Sequence, residues 1–553
     1  MEHKQPLLPH VSPRATWAPN LAFALLLTLF ATLFVTHAWV VDDAYITFRT
    51  VDNFVNGLGL RWNPDERVQV YTHPLWMFVC STVYAFSHEV FFSVLALSFA
   101  TSMVALLWTA RCLDRQISAG AKVLFLGLLL SSKAFMDFSS SGLENPLTHL
   151  LIAAFFVRFL FPERPWAQAQ PRQVGLLMAL AALGFVNRED TILFFAPACA
   201  FVAFAQLRAR TRSVVRTLLP IAVGAMPALG WLAFALWYYG SAVPNTAYAK
   251  LIGAHITRFE RLDVGVAYFL NSLSMDVATL PLCALAVLLA LAHSWRKGTA
   301  PMLCAAGGIL LYFLYVLADG AVGTHMSGRF FSGAAFLSLL LLAVLVQKRP
   351  GRLALLGFSL LVLVGSARSP LWVCTSLYDG THPLGASVID TREYAQREGS
   401  TWLDVTGHMR TLRHPAYLAG LRFRASLERV HVGGPDRTYV AMVGYAGYAA
   451  GPGKHIIDVL GLTDPLIARI PISRSRRWKP GHFYRTLPTG YVESVRRKTN
   501  LIVDPDLHRF YDALLQVTRG PLTSLARLNV IWQLNTGQYE HYLRGYASRN
   551  GLR

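Results

Sequence analysis

Long apolar runs, separated by short polar and basic stretches, dominate the first two-thirds of the chain. A helix needs about 17–25 mostly apolar residues to cross a bilayer. Eleven runs are candidates, at 18–41, 89–110, 120–138, 145–161, 174–187 (which is short), 191–207, 217–239, 277–293, 301–318, 330–346 and 352–370. They predict a polytopic α-helical membrane protein. The stretch 73–88, HPLWMFVCSTVYAFSH, is also apolar but short and aromatic, and it predicts an interfacial or re-entrant helix. The run from Ala18 to Val41 is too long for a signal-peptide core and lacks a small-residue cleavage site, so it reads as a retained first span. After Trp372 the pattern changes. Residues 373–553 hold no span-length apolar run and are rich in Gly and Pro, which predicts a soluble α/β domain. The expected division is a disordered cytoplasmic tail over 1–17, a transmembrane module over 18–372 and a soluble domain over 373–553.

Composition agrees with that pattern. Charged residues make up 15% of the chain, against roughly 25% in soluble domains. The net charge of +20 is a mark of nucleic-acid binders as well as of membrane proteins, but no nucleic-acid motif is present. Basic loops against anionic lipid account for it. The loops on one side of the eleven spans hold 17 Lys and Arg against three acidic residues, which places that side and the N-terminus in the cytoplasm. Counting 73–88 as a full span would invert every later loop and break the rule. The chain is thus expected in the inner (plasma) membrane, with 373–553 in the periplasm. Cys80, Cys112, Cys199, Cys283, Cys304 and Cys374 lie mostly in apolar runs without paired spacing, which argues against a disulfide framework or a zinc site.

This topology places five polar motifs on the external face: VDDAYITFR (41–49), SSSGLENPL (139–147), NRED (187–190), YYGSAVPNTAYAK (238–250) and GTHMSGRF (323–330). Ionisable groups at span ends are costly unless they face a cavity or a partner, so five on one face predict one cavity there. Asp42 and Asp43 are the candidate catalytic carboxylates. Helix capping competes as an explanation, but a cap needs only one acid and adjacent carboxylates repel. Arg188, Lys250, Arg329 and His325 are candidates for an anion site, with snorkelling or ordinary hydrogen bonding as the competing explanations. Glu144 and Asn245 are candidate sugar contacts, although Glu144 also stands where the next helix begins. In the segment RWKPGHFYRTLPTGY (477–491), His482 and Tyr491 are candidate acceptor contacts.

At these motifs the chain resembles the GT-C superfamily of membrane glycosyltransferases. The resemblance rests on the acidic pair with AYITFRTVDNFVNGLGLRWNPDERVQVYTHPLW behind it, on SGLEN, and on GTHMSGRF. Thr324 stands where relatives often carry Asp. The stretches GPGKHIIDVLGLTDPLIARIP and KPGHFYRTLPTGYVES (451–494) are similar to the external part of the arabinofuranosyltransferases that finish mycobacterial cell-wall arabinan. The resemblance implies a polyprenyl-phosphate sugar donor, a glycan or protein acceptor such as a pilin, and sugar transfer on the external face. It also implies a divalent cation (Mg, Mn or Ca) as an optional cofactor, with Asp42 and Asp43 as its candidate ligands. No nucleotide cofactor is expected, since neither a Rossmann fingerprint nor a P-loop is present. Competing activities are protein O-mannosyl transfer and aminoarabinose transfer to lipid A. A polyprenyl-linked sugar flippase is the rival outside enzymology, although its polar groups would gather at midplane.

Overall fold

Apolar sequence becomes helix throughout the first two-thirds of the molecule. The computed structural model describes residues 17–209, 213–252, 256–318, 326–347, 351, 356–357, 359–360, 363–364, 369–371, 388–406, 411–433, 443–472, 481, 483 and 485–552. Among the described residues, fourteen helices of six residues or more lead the order: α1 Trp17–His37, α2 Asp42–Val55, α3 Pro74–Ser87, α4 Phe91–Leu113, α5 Ala119–Leu130, α6 Lys133–Phe138, α7 Asn145–Leu160, α8 Pro171–Asn187, α9 Ile192–Ala209, α10 Val214–Tyr239, α11 Arg258–Met275, α12 Thr279–Lys297, α13 Ala300–Ala318 and α14 Phe331–Val346. Among the described residues six helices are long and apolar enough to cross a membrane: 18–37, 91–113, 189–209, 214–239, 279–297 and 300–318. The protein is an integral membrane protein. α14 is buried along its whole length and forms the axis of the main core, with Phe30, Phe125, Phe156, Phe194 and Tyr312 packed around it.

Several predicted spans differ from what forms. The first stops at His37. Trp39 pairs with Thr401, the Val40 N–H donates to Ser400 and the Val41 N–H to Ser141, so residues 38–41 are extended. The run 120–138 breaks at Ser131–Ser132, where the Ser132 hydroxyl caps α6. The break seats buried Lys133 between Asp137 and Asp390. α3 has 14 residues, fewer than a span needs. α11 is absent from the predicted spans; it is amphipathic, with polar residues diluting its apolar face. Most of the predicted span 352–370 lies outside the described residues.

The C-terminal part is more helical than an α/β reading predicts. It contains α15 Thr391–Glu398, α16 Pro415–Ala425, α17 Val443–Ala450, α18 Tyr491–Arg497, α19 Pro505–Arg519, α20 Leu525–Asn535 and α21 Glu540–Arg549. Its described strands form two two-stranded ladders: β1 Val405–Thr406 antiparallel to β2 Thr411–Leu412, and β3 Val430–Gly433 parallel to β4 His455–Asp458. This part is bolted to the first long loop and to the end of α10. Arg49 stacks on Trp62 and donates to the carbonyls of Gly447 and Lys454. Arg527 donates to the carbonyls of Trp237 and Tyr238 at 2.7 and 2.9 Å. Arg485 donates to Ala249 at 2.8 Å.

Candidate active site

The adjacent acids at the start of α2 have opposite fates. A helix advances 100° per residue, so neighbours on it face different ways. Asp42 is buried against α17, where Oδ1 accepts the Tyr445 N–H at 2.6 Å and Oδ2 the Gly444 N–H at 3.3 Å. A side chain at Gly444 would overlap the Asp42 carbonyl, so α17 approaches this closely only because that position is glycine. Burial, partly opposed by the Tyr445 hydrogen bond, pushes the Asp42 carboxyl up to about 7. Asp42 is therefore a structural anchor, and its predicted catalytic role is corrected. Asp43 keeps 27% of its side-chain surface and stands 3.8 Å from Arg329. Tyr45 and Phe48, expected to face lipid, are buried among Tyr417, Tyr445 and Tyr448.

Asp43 opens onto a cavity of about 180 Å³. Three carboxylates (Asp43, Glu189, Asp190) and three cations (Arg188, Lys250, Arg329) line it. Behind this lining lies Glu144, fully buried. Its carboxylate accepts from Arg329 Nη2 at 3.1 and 3.2 Å and from Arg188 Nη1 at 3.0 Å, and lies 3.3 Å from His73 Nδ1. Burial would raise the pKa of Glu144, but Arg329, His73 and Arg188 outweigh it and hold the group well below the usual carboxylate range. Glu144 is the hub that positions two guanidinium groups. Without exposed surface it makes no sugar contact, contrary to the expectation. Arg188 also pairs with Asp190 at 2.8 Å and stacks on Phe330. Arg329 Nε and Asp190 Oδ1 have no hydrogen-bond partner.

His73 was missed as a site residue; its signal was a histidine immediately before the proline that opens α3. Its Nε2 is 2.8 Å from the Thr47 hydroxyl, and burial, opposed by Glu144, lowers its pKa to about 4, so the ring is neutral. Lys250 sits on the turn 248–252, with Gly481 of the C-terminal part closed against its stem. Burial lowers its pKa, opposed by Asp43.

The other predicted contacts do not gather here. The Asn245 amide donates to the carbonyls of Gly461, Leu462 and Asp464 at 2.9, 3.2 and 3.1 Å and accepts from Arg469 at 3.0 Å. Spent on fastening three segments, it has nothing left for a sugar. Tyr491 is 1% exposed and donates to Asp464 at 2.8 Å, which makes it a core residue. His325, Thr324 and His482 lie outside the described residues. Both Asp42 oxygens, expected as metal ligands together with Asp43, accept backbone N–H groups here. Among the described residues no three His, Cys, Asp or Glu side chains are grouped to hold an ion.

No family model matches the chain. Two curated relatives do. It is 27% identical over 224 residues to a terminal beta-(1->2)-arabinofuranosyltransferase of Mycobacterium tuberculosis, covering 38% of this chain and 35% of that protein. It is 26% identical over 236 residues to the terminal beta-(1->2)-arabinofuranosyltransferase of Corynebacterium glutamicum, covering 39% and 33%. The match spans about a third of the length of these relatives. Among solved structures, the Archaeoglobus fulgidus oligosaccharyltransferase in complex with Zn and sulfate aligns with a TM-score of 0.47 at 10% identity, over 79% of this chain and 62% of that one. ArnT from Cupriavidus metallidurans bound to undecaprenyl phosphate aligns at 0.43 and 14%, over 82% and 77%. In sequence, the chain is similar to the terminal arabinofuranosyltransferases.

Proposed function

We propose that this protein is a membrane glycosyltransferase that moves a sugar, of the arabinofuranose class, from a polyprenyl-phosphate donor to a glycan or protein acceptor on the periplasmic face of the inner membrane. The observation that carries the reading is the small cavity, where the partly exposed Asp43 carboxylate faces Arg188, Lys250 and Arg329. The sequence similarity to the arabinofuranosyltransferases supports the pentose.

Transfer breaks the bond from the anomeric carbon to the phosphate oxygen and forms one to the acceptor oxygen. The acceptor hydroxyl must lose a proton as it attacks, and Asp43 is the base that takes it. The departing phosphate gathers negative charge. Arg329 and Lys250, which line the cavity, meet it with their guanidinium and ammonium groups. Glu144 stays ionised and fixes both guanidinium groups before the donor arrives, so little reorganisation is left for the reaction.

The test incubates the purified full chain with radiolabelled polyprenyl-phosphate pentoses and hexoses and a panel of glycan and protein acceptors. Asp43→Asn keeps the shape and removes the basicity. Transfer is expected to fall at least about 100-fold, with an unchanged melting temperature. Near wild-type transfer by Asp43→Asn would remove Asp43 from the mechanism.

A further inference from the structure

Residues 520–539, GPLTSLARLNVIWQLNTGQY, belong to the part of the chain that reads as soluble, yet they carry one charged residue, Arg527. Leu525–Asn535 of this stretch form α20, and the Ser524 hydroxyl caps it by accepting the Arg527 N–H. At 100° per residue, Arg527, Val530, Ile531 and Leu534 fall on one face of α20, and Leu525, Leu528 and Trp532 on the other. The first face packs inward. Arg527, Val530 and Ile531 are buried, and Leu534, with Asn535, lines a second cavity of about 800 Å³. That cavity shares a wall with the small one. In the wall, Arg67, Val68 and Gln69 line the large side, and Val70, Tyr71 and His73 the small side. The wall is joined to the segment after α10 by the Asn245 N–H, which donates to the Gln69 carbonyl at 2.8 Å.

The outer face of α20 is not the face of a helix in water. Leu525 is 82% exposed, Trp532 66% and Leu528 39%. Single exposed apolar side chains are ordinary, but these three stand in line on one helix whose only charged residue is turned inward. The position of α20 identifies what they meet. α10 is long and apolar enough to cross a membrane. Its exposed Leu219, Val223, Met226 and Trp237 form one lipid-facing stripe that runs to its last turn. α20 is bound to that turn. Arg527 donates to the carbonyls of Trp237 and Tyr238, and the Asn535 amide to the carbonyl of Gly240 at 2.8 Å. A side chain at Gly240 would overlap Val517 and crowd Ile531, so α19 and α20 press directly on the helix end. Residues 527 and 535 are about 12 Å apart along α20, yet both reach residues within one turn of α10. α20 therefore lies across the end of the span and does not extend it. Its outward side chains stand at the level where the span leaves the bilayer. Amphipathic helices lie in the membrane plane at that level, with their apolar side chains among the headgroups and first methylenes, and tryptophan is enriched there.

We propose that α20 is an interfacial anchor: Leu525, Leu528 and Trp532 insert into the bilayer face at which α10 ends and hold the C-terminal part against the membrane. One helix then borders both the lipid and the large cavity. The proposal rests on α10 crossing the bilayer and is independent of the transferase reading. Because the outward face carries no charge, zwitterionic lipid is enough to bind it. The experiment reconstitutes the full chain in phosphatidylcholine nanodiscs that contain a phosphatidylcholine with a diazirine on its acyl chain. After irradiation, lipid adducts are mapped by peptide mass spectrometry. Adducts are expected within residues 525–532 as well as on α10, with one copy of the chain in each disc. In the Leu525→Glu, Trp532→Glu double variant the yield on α20 should fall at least about fivefold, since a carboxylate resists transfer into lipid, while the yield on α10 stays as it was. The wild-type map needs no substitution, so a misfolded variant does not blur it. Adducts confined to α10, α20 labelling that is unchanged in the double variant, or discs that hold two copies which the double variant separates would overturn the proposal. The last outcome would make this face a contact between copies of the chain.

Discussion

The two cavities share a wall and are held open by different physics. The small one is built on charge: Glu144 draws two arginines and a histidine around one buried carboxylate, and the ionisable lining balances three against three. The large one is built on backbone carbonyls and apolar helix faces, with arginines acting as clamps that reach from one segment to another. Charge held in fixed geometry suits a reaction in which charge develops. The contrast also predicts where the molecule tolerates change.

The largest effect belongs to Glu144. Glu144→Gln removes the one anion that both Arg188 and Arg329 contact and leaves Arg188 only Asp190, and Arg329 only Asp43 at 3.8 Å, as carboxylate partners. Removing one partner of a buried ion pair costs about 3–5 kcal/mol. The protein is expected to lose that much in denaturant or thermal unfolding, and a loss under about 1 kcal/mol would show that water already compensates the arginines.

That hub shows how far the sequence alone reaches. The motifs that carry Asp43, Glu144, Arg188, Lys250 and Arg329 were legible as polar interruptions at apolar run ends, and the structure gathers all five around one cavity. Their division of labour was not legible, because it depends on partners distant in the chain. Asp42 and Asp43 look equivalent until α17, about 400 residues later, claims one of them. Asn245 and Tyr491 read as sugar contacts because polar and aromatic residues near Gly and Pro suggest loops. In the fold, their polar atoms fasten loops together. Helices rich in Leu and Phe were easy to read. α11 was not, since a helix that buries one face carries no long apolar run. The break at Ser131–Ser132 has a local mark, the Ser132 cap, but the burial of Lys133 beside Asp390 depends on a residue more than 250 positions away.

A middle-sized effect separates the two sides by pH. Asp42 anchors the start of α2, beside the small cavity, to α17. Its pKa is about 3.8 unfolded and about 7 folded. Below pH 4 both states hold the proton. Between about 4 and 7 the unfolded chain releases it while the folded chain keeps it, so stability falls as pH rises and the contribution is lost through pH 7. Wild-type melting temperature should drop from pH 5 to pH 8 more than that of Asp42→Asn, which keeps an acceptor for the Tyr445 N–H but does not titrate. His73 and Glu144 are present in both proteins, so the difference isolates Asp42. Parallel pH profiles would show that the carboxyl is not buried as described.

The smallest effect is the sharpest contrast with Glu144. Gln69 is as buried as the charged hub, and by burial alone its replacement looks equally damaging. Its Oε1, however, has no partner, and its amide reaches only the Tyr71 carbonyl at 3.4 Å, at the edge of hydrogen-bonding distance. The bond that joins the wall is made by its backbone carbonyl, which any residue supplies. Leucine at 69 has similar bulk, removes a desolvated acceptor and strands only a weakly held carbonyl. Replacing a buried group that has no partner is neutral or mildly stabilising, whereas breaking a made bond costs about 1–3 kcal/mol. Gln69→Leu is therefore expected to melt within about 2 °C of wild type. A loss of stability beyond about 1 kcal/mol would mean that the protein itself satisfies Oε1.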